Sequence, residues 1–129
     1  MLGGCRMNRR LGSIVVALSL LAAMPLAAQQ SNYSHRMATQ LEVMKIRPEQ
    51  NKSFQRILKR YYNRLENAPR RVSSAGRGDF HTMIKREVKT VGKHAVKSAR
   101  KVLDEDQLKA FERYIKIAGK RYTASLGLN

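Results

Sequence analysis

Two short segments of the chain, 57 positions apart, each carry the residue types that begin a helix. In residues 103–107, Asp104 can accept a backbone N–H of the first helical turn, and the Gln107 side chain can reach back to the Asp104 N–H. Residues 46–50 follow a similar pattern, with Pro48 where the first helical residue needs no N–H donor. A helix start that occurs twice predicts an all-α chain. The residues of the two motifs are Ile46, Pro48, Gln50, Leu103, Asp104 and Gln107.

Apolar side chains recur at helical spacing in four segments, so we expect helices at about residues 33–46, 48–67, 80–103 and 105–125. Pro69 is expected to end the second helix, and residues 68–79 to form a flexible connection. These helices predict an antiparallel hairpin or a small bundle of three to four helices. The clearest apolar face belongs to the second helix and consists of Phe54, Ile57, Leu58, Tyr61, Tyr62 and Leu65.

The first and last predicted helices also carry apolar faces, and that of the last helix has more than one interpretation. In the first helix, the expected apolar stripe is Met37, Leu41 and Met44, with Val43 beside it. In the last helix, Tyr114, Ile117 and Tyr122 widen the apolar face beyond what one partner helix would bury. Core packing is the commoner explanation of this width, and a dimer seam or one wall of a shallow groove is the alternative.

Residues 1–28 have the order of a secretory signal peptide. Three arginines precede an apolar run, and small residues follow Pro25 before the composition becomes polar at Gln29. We therefore expect export to the periplasm and cleavage after Ala28, leaving residues 29–129 as a single helical domain. The apolar run also approaches the length that spans a bilayer, so an uncleaved anchor is the alternative. Cys5 precedes the apolar run and would leave with the signal peptide.

The two motifs and the export signal together resemble the Spy/CpxP family of periplasmic stress proteins, whose hallmark is apolar–Thr–x–x–Gln at helix starts. The resemblance covers about residues 41–122. Arg47 and Asp104 stand where the family has threonine, and only Asp104 can replace the capping threonine. The resemblance implies an all-helical protein, often an antiparallel dimer with a cationic and partly apolar concave face. It also implies an ATP-independent chaperone or a modulator of the envelope stress response.

Composition limits the chemistry that the exported chain can perform. The formal net charge is +17, and about +14 once residues 1–28 are removed. No cysteine follows Cys5, so the exported chain can form neither a disulfide nor a cysteine-based metal site. About a hundred residues make one small domain with a thin core. A homodimer would help to bury apolar surface, although the sequence does not require one.

Two of the predicted helices carry rows of cationic side chains. In the third helix a lysine recurs every fourth residue, and Glu87 is the only acid. Like charges at that spacing destabilise an isolated helix by about 0.2–0.5 kcal/mol per pair, so the row either keeps the surface soluble or serves an anionic partner. The second helix adds an arginine-rich face. The candidate client-binding or anion-binding residues are Lys85, Lys89, Lys93, Lys97, Lys101, Arg56, Lys59, Arg60 and Arg64.

No pattern in the sequence indicates an enzyme. His35, His81 and His94 lack the spacing of metal ligands, and no phosphate-binding glycine loop or nucleophile elbow occurs. We expect no catalytic residue, metal or cofactor. The expected partners are unfolded or acidic proteins, and the alternative is an anionic envelope surface such as lipid headgroups or lipopolysaccharide. A pI near 10.9 would suit nucleic acid, but the export signal argues against that partner.

Overall fold

The computed structural model describes residues 24–76 and 78–128, which form four helices and no strand. The helices are α1 (Met24–Met44), α2 (Pro48–Ala75), α3 (Phe80–Ala99) and α4 (Glu105–Ser125). The predicted fold class is confirmed: the protein is a small all-α bundle. The chain divides into two compact units, Met1–Asn32 and Tyr33–Asn129, and the structure describes only the beginning of α1 from the first unit. Most of the predicted signal peptide, residues 1–23, lies outside the described residues.

Helix α1 turns a different face toward the bundle from the one predicted. It ends at Met44 rather than at residue 46, and it begins well before residue 33. Met37 and Met44 are buried, whereas Leu41 and Val43 are exposed. The buried face therefore follows the spacing of residues 33, 37 and 44, and the stripe predicted through Leu41 is wrong. The chain bends before Pro48, because Lys45 adopts a left-handed φ of 47° and ends the helix.

Helix α2 continues past Pro69 to Ala75, so the predicted end at residue 67 is wrong. Pro69 has no N–H to donate to the Leu65 carbonyl, which ordinarily costs a helix about 3 kcal/mol. Burial of Ala68 and Val72 extends the apolar face of α2 across the proline and offsets that cost. The helix ends instead at Gly76, whose φ of 60° suits glycine.

The Arg71 side chain also supports the end of α2. Its Nη2 donates to the Arg64 carbonyl oxygen at 2.7 Å and lies 2.9 Å from a Glu87 carboxylate oxygen on α3. Arg71 thus joins α2 to α3 just beyond the proline, at a place where the sequence predicted a flexible cationic loop.

Helix α3 begins at Phe80, as predicted, and is capped by Asp79, but it ends at Ala99 rather than at residue 103. The Asp79 carboxylate accepts hydrogen bonds from the Thr82 hydroxyl at 2.8 Å and the Thr82 N–H at 3.2 Å. These bonds hold the pKa of Asp79 below its ordinary value. After Ala99 the backbone turns, with the Leu103 N–H donating to the Ala99 carbonyl at 2.8 Å. Lys101 therefore lies in this turn and not on the helix.

Helices α3 and α4 pack closely at two glycines. A Cβ atom at Gly92 would lie 2.9 Å from Cγ2 of Ile115, and one at Gly119 would lie 3.2 Å from Cγ1 of Val88. Glycine weakens an isolated helix by about 1 kcal/mol relative to alanine. In α3 that weakening accompanies a close helix–helix contact that a larger residue would not allow.

The wide apolar face of α4 is explained by core packing. Tyr114 and Ile117 are buried and Tyr122 is half-buried, because α4 meets side chains of α1, α2 and α3. The helix ends where predicted: Gly127 has a φ of 73°, and the Leu128 N–H donates to the Thr123 carbonyl at 3.0 Å. Leu128 is itself buried against the core.

The two helix starts that repeat in the sequence contact each other. The side-chain amides of Gln50 and Gln107 exchange two hydrogen bonds of 2.9 Å. Four residues further along each helix, the rings of Phe54 and Phe111 meet edge to face with centroids 5.6 Å apart. Equivalent residues of the two repeats therefore meet in both pairs.

Each glutamine side chain also forms a hydrogen bond with the backbone that precedes the other helix. Gln50 Nε2 donates to the Val102 carbonyl at 3.0 Å, and Gln107 Nε2 donates to the Met44 carbonyl at 3.1 Å. Each Oε1 accepts the backbone N–H of the residue that begins its own helix, Arg47 or Asp104, at 3.1 Å. All hydrogen-bonding capacity of the two buried amides is therefore used.

Only the second motif forms a complete capping box. The Asp104 carboxylate accepts the Gln107 N–H at 2.9 Å, whereas the Arg47 side chain has no acceptor to offer. Arg47 instead lies 3.0 Å from a Glu49 oxygen and 4.0 Å from an Asp104 oxygen. Around these polar groups, Leu103 is buried, Ile46 is half-buried and Pro48 is exposed.

Candidate anion-binding face

The side of α2 that faces away from the core carries two parallel ridges of polar side chains. The cationic ridge repeats every fourth residue and consists of Lys52, Arg56, Arg60 and Arg64. The second ridge, here named the amide ridge, has the same spacing and consists of Asn51, Gln55, Lys59, Asn63 and Asn67. Side chains four residues apart lie one above another on a helix, so each set forms a continuous row.

The space between the ridges is a shallow groove. It is formed by two neighbouring depressions that share Arg56 and Lys59. The lining consists of the two ridges and Pro48, so cations and amides line it and no carboxylate does. Four of the predicted site residues are brought together here: Arg56, Lys59, Arg60 and Arg64.

The cations of the groove form no ion pair with the described residues. In residues 24–76 and 78–128, the ion pairs join Arg47 to Glu49, Arg47 to Asp104 and Arg71 to Glu87, and none includes a cation of the groove. The cations of α2 therefore repel one another at helical spacing, at about 0.2–0.5 kcal/mol for each neighbouring pair. An anion bound in the groove would relieve this repulsion.

The lysines predicted on α3 form a separate exposed row. Lys85, Lys89, Lys93 and Lys97 are all exposed, and Lys101 is exposed in the turn that follows. They line none of the depressions that contain the α2 cations. The nine predicted residues thus fall into two groups, one on α2 and the other on α3 and the turn that follows it. The α2 group lines the groove and the lysine group does not.

The cations of the groove were identified from the sequence as candidate binding residues, but its amides were not. Asn51, Gln55, Asn63 and Asn67, with Lys59 among them, repeat at every fourth residue, and this repeat is visible in the sequence. One hydrogen bond orders the amide ridge, since Asn67 Nδ2 donates to the Asn63 backbone carbonyl at 2.9 Å. An amide offers both a donor and an acceptor, which adds hydrogen-bonding capacity of both kinds to a cationic surface.

A cluster of tyrosines lies on the opposite, core side of α2. Tyr61 is buried, its ring meets the Tyr62 ring edge to face at 5.2 Å, and its hydroxyl has no partner among the described residues. Burial, with a smaller contribution from Tyr62, raises the pKa of Tyr61. Burial and a hydrogen bond between the Tyr62 and Tyr114 hydroxyls raise the pKa of Tyr114. These contacts place the tyrosines in the core and not in the groove.

Other kinds of site find no support in the described part of the chain. There, no three histidine, cysteine, aspartate or glutamate side chains are grouped so that they could hold a metal ion. None of the helices from residue 24 onward has the length and apolar character needed to cross a bilayer.

Comparison with known proteins identifies no relative. No protein-family model, curated protein or solved structure matches the chain.

Proposed function

We propose that the protein is an ATP-independent periplasmic chaperone or envelope-stress modulator, similar in role to the Spy/CpxP family that its helix-start motifs resemble. The observation that carries this proposal is the groove on α2, in which cations and amides meet without a carboxylate. Unfolded or acidic proteins are the proposed partners.

The proposed mechanism follows from the charge and the long side chains of the residues that line the groove. Long-range attraction by the arginines and lysines accelerates encounter with a negatively charged chain. The methylene stems of Lys52, Arg56, Lys59 and Arg60 then offer apolar contact that does not demand one client sequence. Since these side chains are exposed, each contact is weak and is screened by salt. Binding is therefore broad, reversible and sensitive to ionic strength.

Cell fractionation followed by an aggregation assay tests the proposal. The full-length chain is expressed, and the form that accumulates in the periplasm is purified and mixed with an unrelated unfolding protein. We expect suppression of aggregation near equimolar amounts without ATP, and weaker suppression at high salt. Retention of the chain in the cytoplasm would contradict the proposal, and so would unchanged aggregation at both salt concentrations.

The alternative function is binding to an anionic envelope surface, and the exposed lysine row of α3 favours it. Each lysine near an anionic membrane contributes about 1 kcal/mol to adsorption. Co-sedimentation with vesicles containing phosphatidylglycerol distinguishes the two functions. Vesicle binding that depends on Lys89 and Lys93, combined with no effect on client aggregation, would support the alternative.

A further inference from the structure

We propose that the groove on α2 binds an extended peptide segment in which acidic residues alternate with other residues. This inference rests on the proposed function, because such a segment becomes accessible when a client protein unfolds. It specifies the charge pattern and the conformation that the groove selects.

The spacing of the cationic ridge matches that of an extended acidic peptide. Four residues of an α-helix rise about 6 Å, so successive cations from Lys52 to Arg64 are about 6 Å apart along the axis. In an extended peptide, side chains on one face are two residues apart, or about 6.6 Å. Acidic residues at positions i, i+2, i+4 and i+6 can therefore each face one member of the ridge.

The amide ridge distinguishes a peptide from other anions. A peptide backbone presents both N–H donors and carbonyl acceptors, and an amide side chain can satisfy either. Phosphate and sulfate groups present acceptors alone when fully ionised, and cations suffice to bind them. Asn51, Gln55 and Asn63 lie beside the cations, where they can bond a backbone whose carboxylates face the cationic ridge.

Helix α3 provides an internal comparison. It has four lysines at the same four-residue spacing, but its sequence contains neither asparagine nor glutamine. A partner that recognised charge alone would bind both helices alike. A partner that also needs backbone hydrogen bonds should prefer α2.

Two peptides of equal composition test the charge pattern. Each labelled peptide has eight residues, four glutamates and four threonines, alternating in one and separated into two blocks in the other. Fluorescence anisotropy with the full exported protein at low salt should show binding of the alternating peptide at least about threefold tighter. Equal affinities, or tighter binding of the blocked peptide, would overturn the inference.

Matched double variants test the location. We expect R56Q with R60Q to weaken binding of the alternating peptide about fivefold to tenfold, and K89Q with K93Q to change it less than about twofold. Both pairs remove two positive charges from exposed helical positions, so an equal loss would mean that overall charge decides, and would overturn the inference. A third pair, Q55L with N63L, keeps every charge and should still weaken binding of the alternating peptide, because the amides that bond its backbone are lost. Circular dichroism checks that each variant remains folded.

The remaining outcomes separate the inference from the proposed function. If the protein suppresses aggregation but binds both peptides equally, the chaperone function stands and the peptide pattern is refuted. If it prefers the alternating peptide but never suppresses aggregation, the groove stands as a peptide site and the chaperone function fails. Tighter binding to phosphatidylglycerol vesicles than to either peptide, weakened equally by both arginine and lysine variants, would overturn the peptide site.

Discussion

Gln50 and Gln107 form a reciprocal amide pair at the starts of α2 and α4, each donating to the other's Oε1 at 2.9 Å. Each amide also accepts from the start of its own helix and donates to the turn before the other helix. The pair therefore joins α2, α4 and the backbone that precedes each of them. This arrangement positions the first turn of α2, where the groove begins.

Replacement of either glutamine by leucine should destabilise the protein by about 2–3 kcal/mol, because buried N–H and carbonyl groups lose their partners. The double variant Gln50→Leu with Gln107→Leu should cost at least about 1 kcal/mol less than the sum of the single variants. Urea unfolding of the four proteins measures this coupling. Gln55→Leu, on the exposed side of the same helix, serves as the control and should stay within about 0.5 kcal/mol. Strictly additive losses would contradict the paired arrangement.

Gly92→Ala should destabilise the protein by about 1–2 kcal/mol, although alanine is the better helix former. The added Cβ would meet Cγ2 of Ile115 at 2.9 Å, and the packed helices must move apart to accept it. Thermal or urea unfolding measures the effect. Thr90→Ala, at an exposed position of α3, is the matched control and should be neutral or slightly stabilising. In an Ile115→Leu background, which lacks Cγ2, the cost of Gly92→Ala should fall.

Lys45→Gly should stabilise the protein by about 1 kcal/mol. Lys45 has a φ of 47°, a left-handed conformation that costs a residue with a Cβ about 1–2 kcal/mol, and glycine adopts it without that cost. The greater freedom of glycine in the unfolded chain offsets part of the gain. The same change at Lys93, in the middle of α3, should instead destabilise by about 1 kcal/mol. Loss of stability from Lys45→Gly would show that the residue does not hold this conformation in solution.

Two tyrosine variants should have different effects at neutral pH. Tyr61→Phe should be neutral or slightly stabilising, since the buried Tyr61 hydroxyl has no partner among the described residues. Tyr114→Phe should cost about 1 kcal/mol, because it removes the hydrogen bond to the Tyr62 hydroxyl. Denaturant unfolding at pH 7 compares them. A larger loss from Tyr61→Phe than from Tyr114→Phe would contradict the contacts described here.

The same tyrosines predict a loss of stability in alkali. Burial raises the pKa of Tyr61 and Tyr114 in the folded protein above the ordinary value of 10.0. The folded state then holds these protons more tightly than the unfolded state does, so the contribution is fully present below pH 10 and declines as the pH rises beyond it. Unfolding followed between pH 8 and pH 11 should show this decline, and Tyr61→Phe should make it shallower. An unchanged slope in the variant would rule out Tyr61 as a source.

The features that depend on residues close together in the chain were predictable from the sequence. Asp104 caps α4 as expected. Asp79 caps α3 and Gly127 follows the end of α4, and both are residue types that favour these positions. The apolar spacing of α2 correctly indicated the buried Phe54, Tyr61 and Leu65. These features depend on groups within about one helical turn, and the energies of such contacts are encoded locally.

The course of α2 beyond Pro69 was decided by distant parts of the chain. Pro69 locally favours a helix end, and the sequence by itself predicts one there. Burial of Val72 and the pairing of Arg71 with Glu87 of α3 extend the helix to Ala75. Both depend on residues that are remote until the hairpin has formed. The exposure of Leu41 has the same kind of cause, since neighbouring helices determine which face of α1 is covered.

The candidate groove also combines features that were visible in the sequence with features that only the fold decided. Its cations and their helical spacing were visible in the sequence, as was the repeat that contains Gln50 and Gln107. Only the folded protein decided that the two glutamines meet and that the α2 cations form a groove apart from the α3 lysines. The spacing of residues in a sequence shows which of them share a helical face, because every α-helix has the same geometry. Which faces are covered depends on packing between helices, a property of the whole chain.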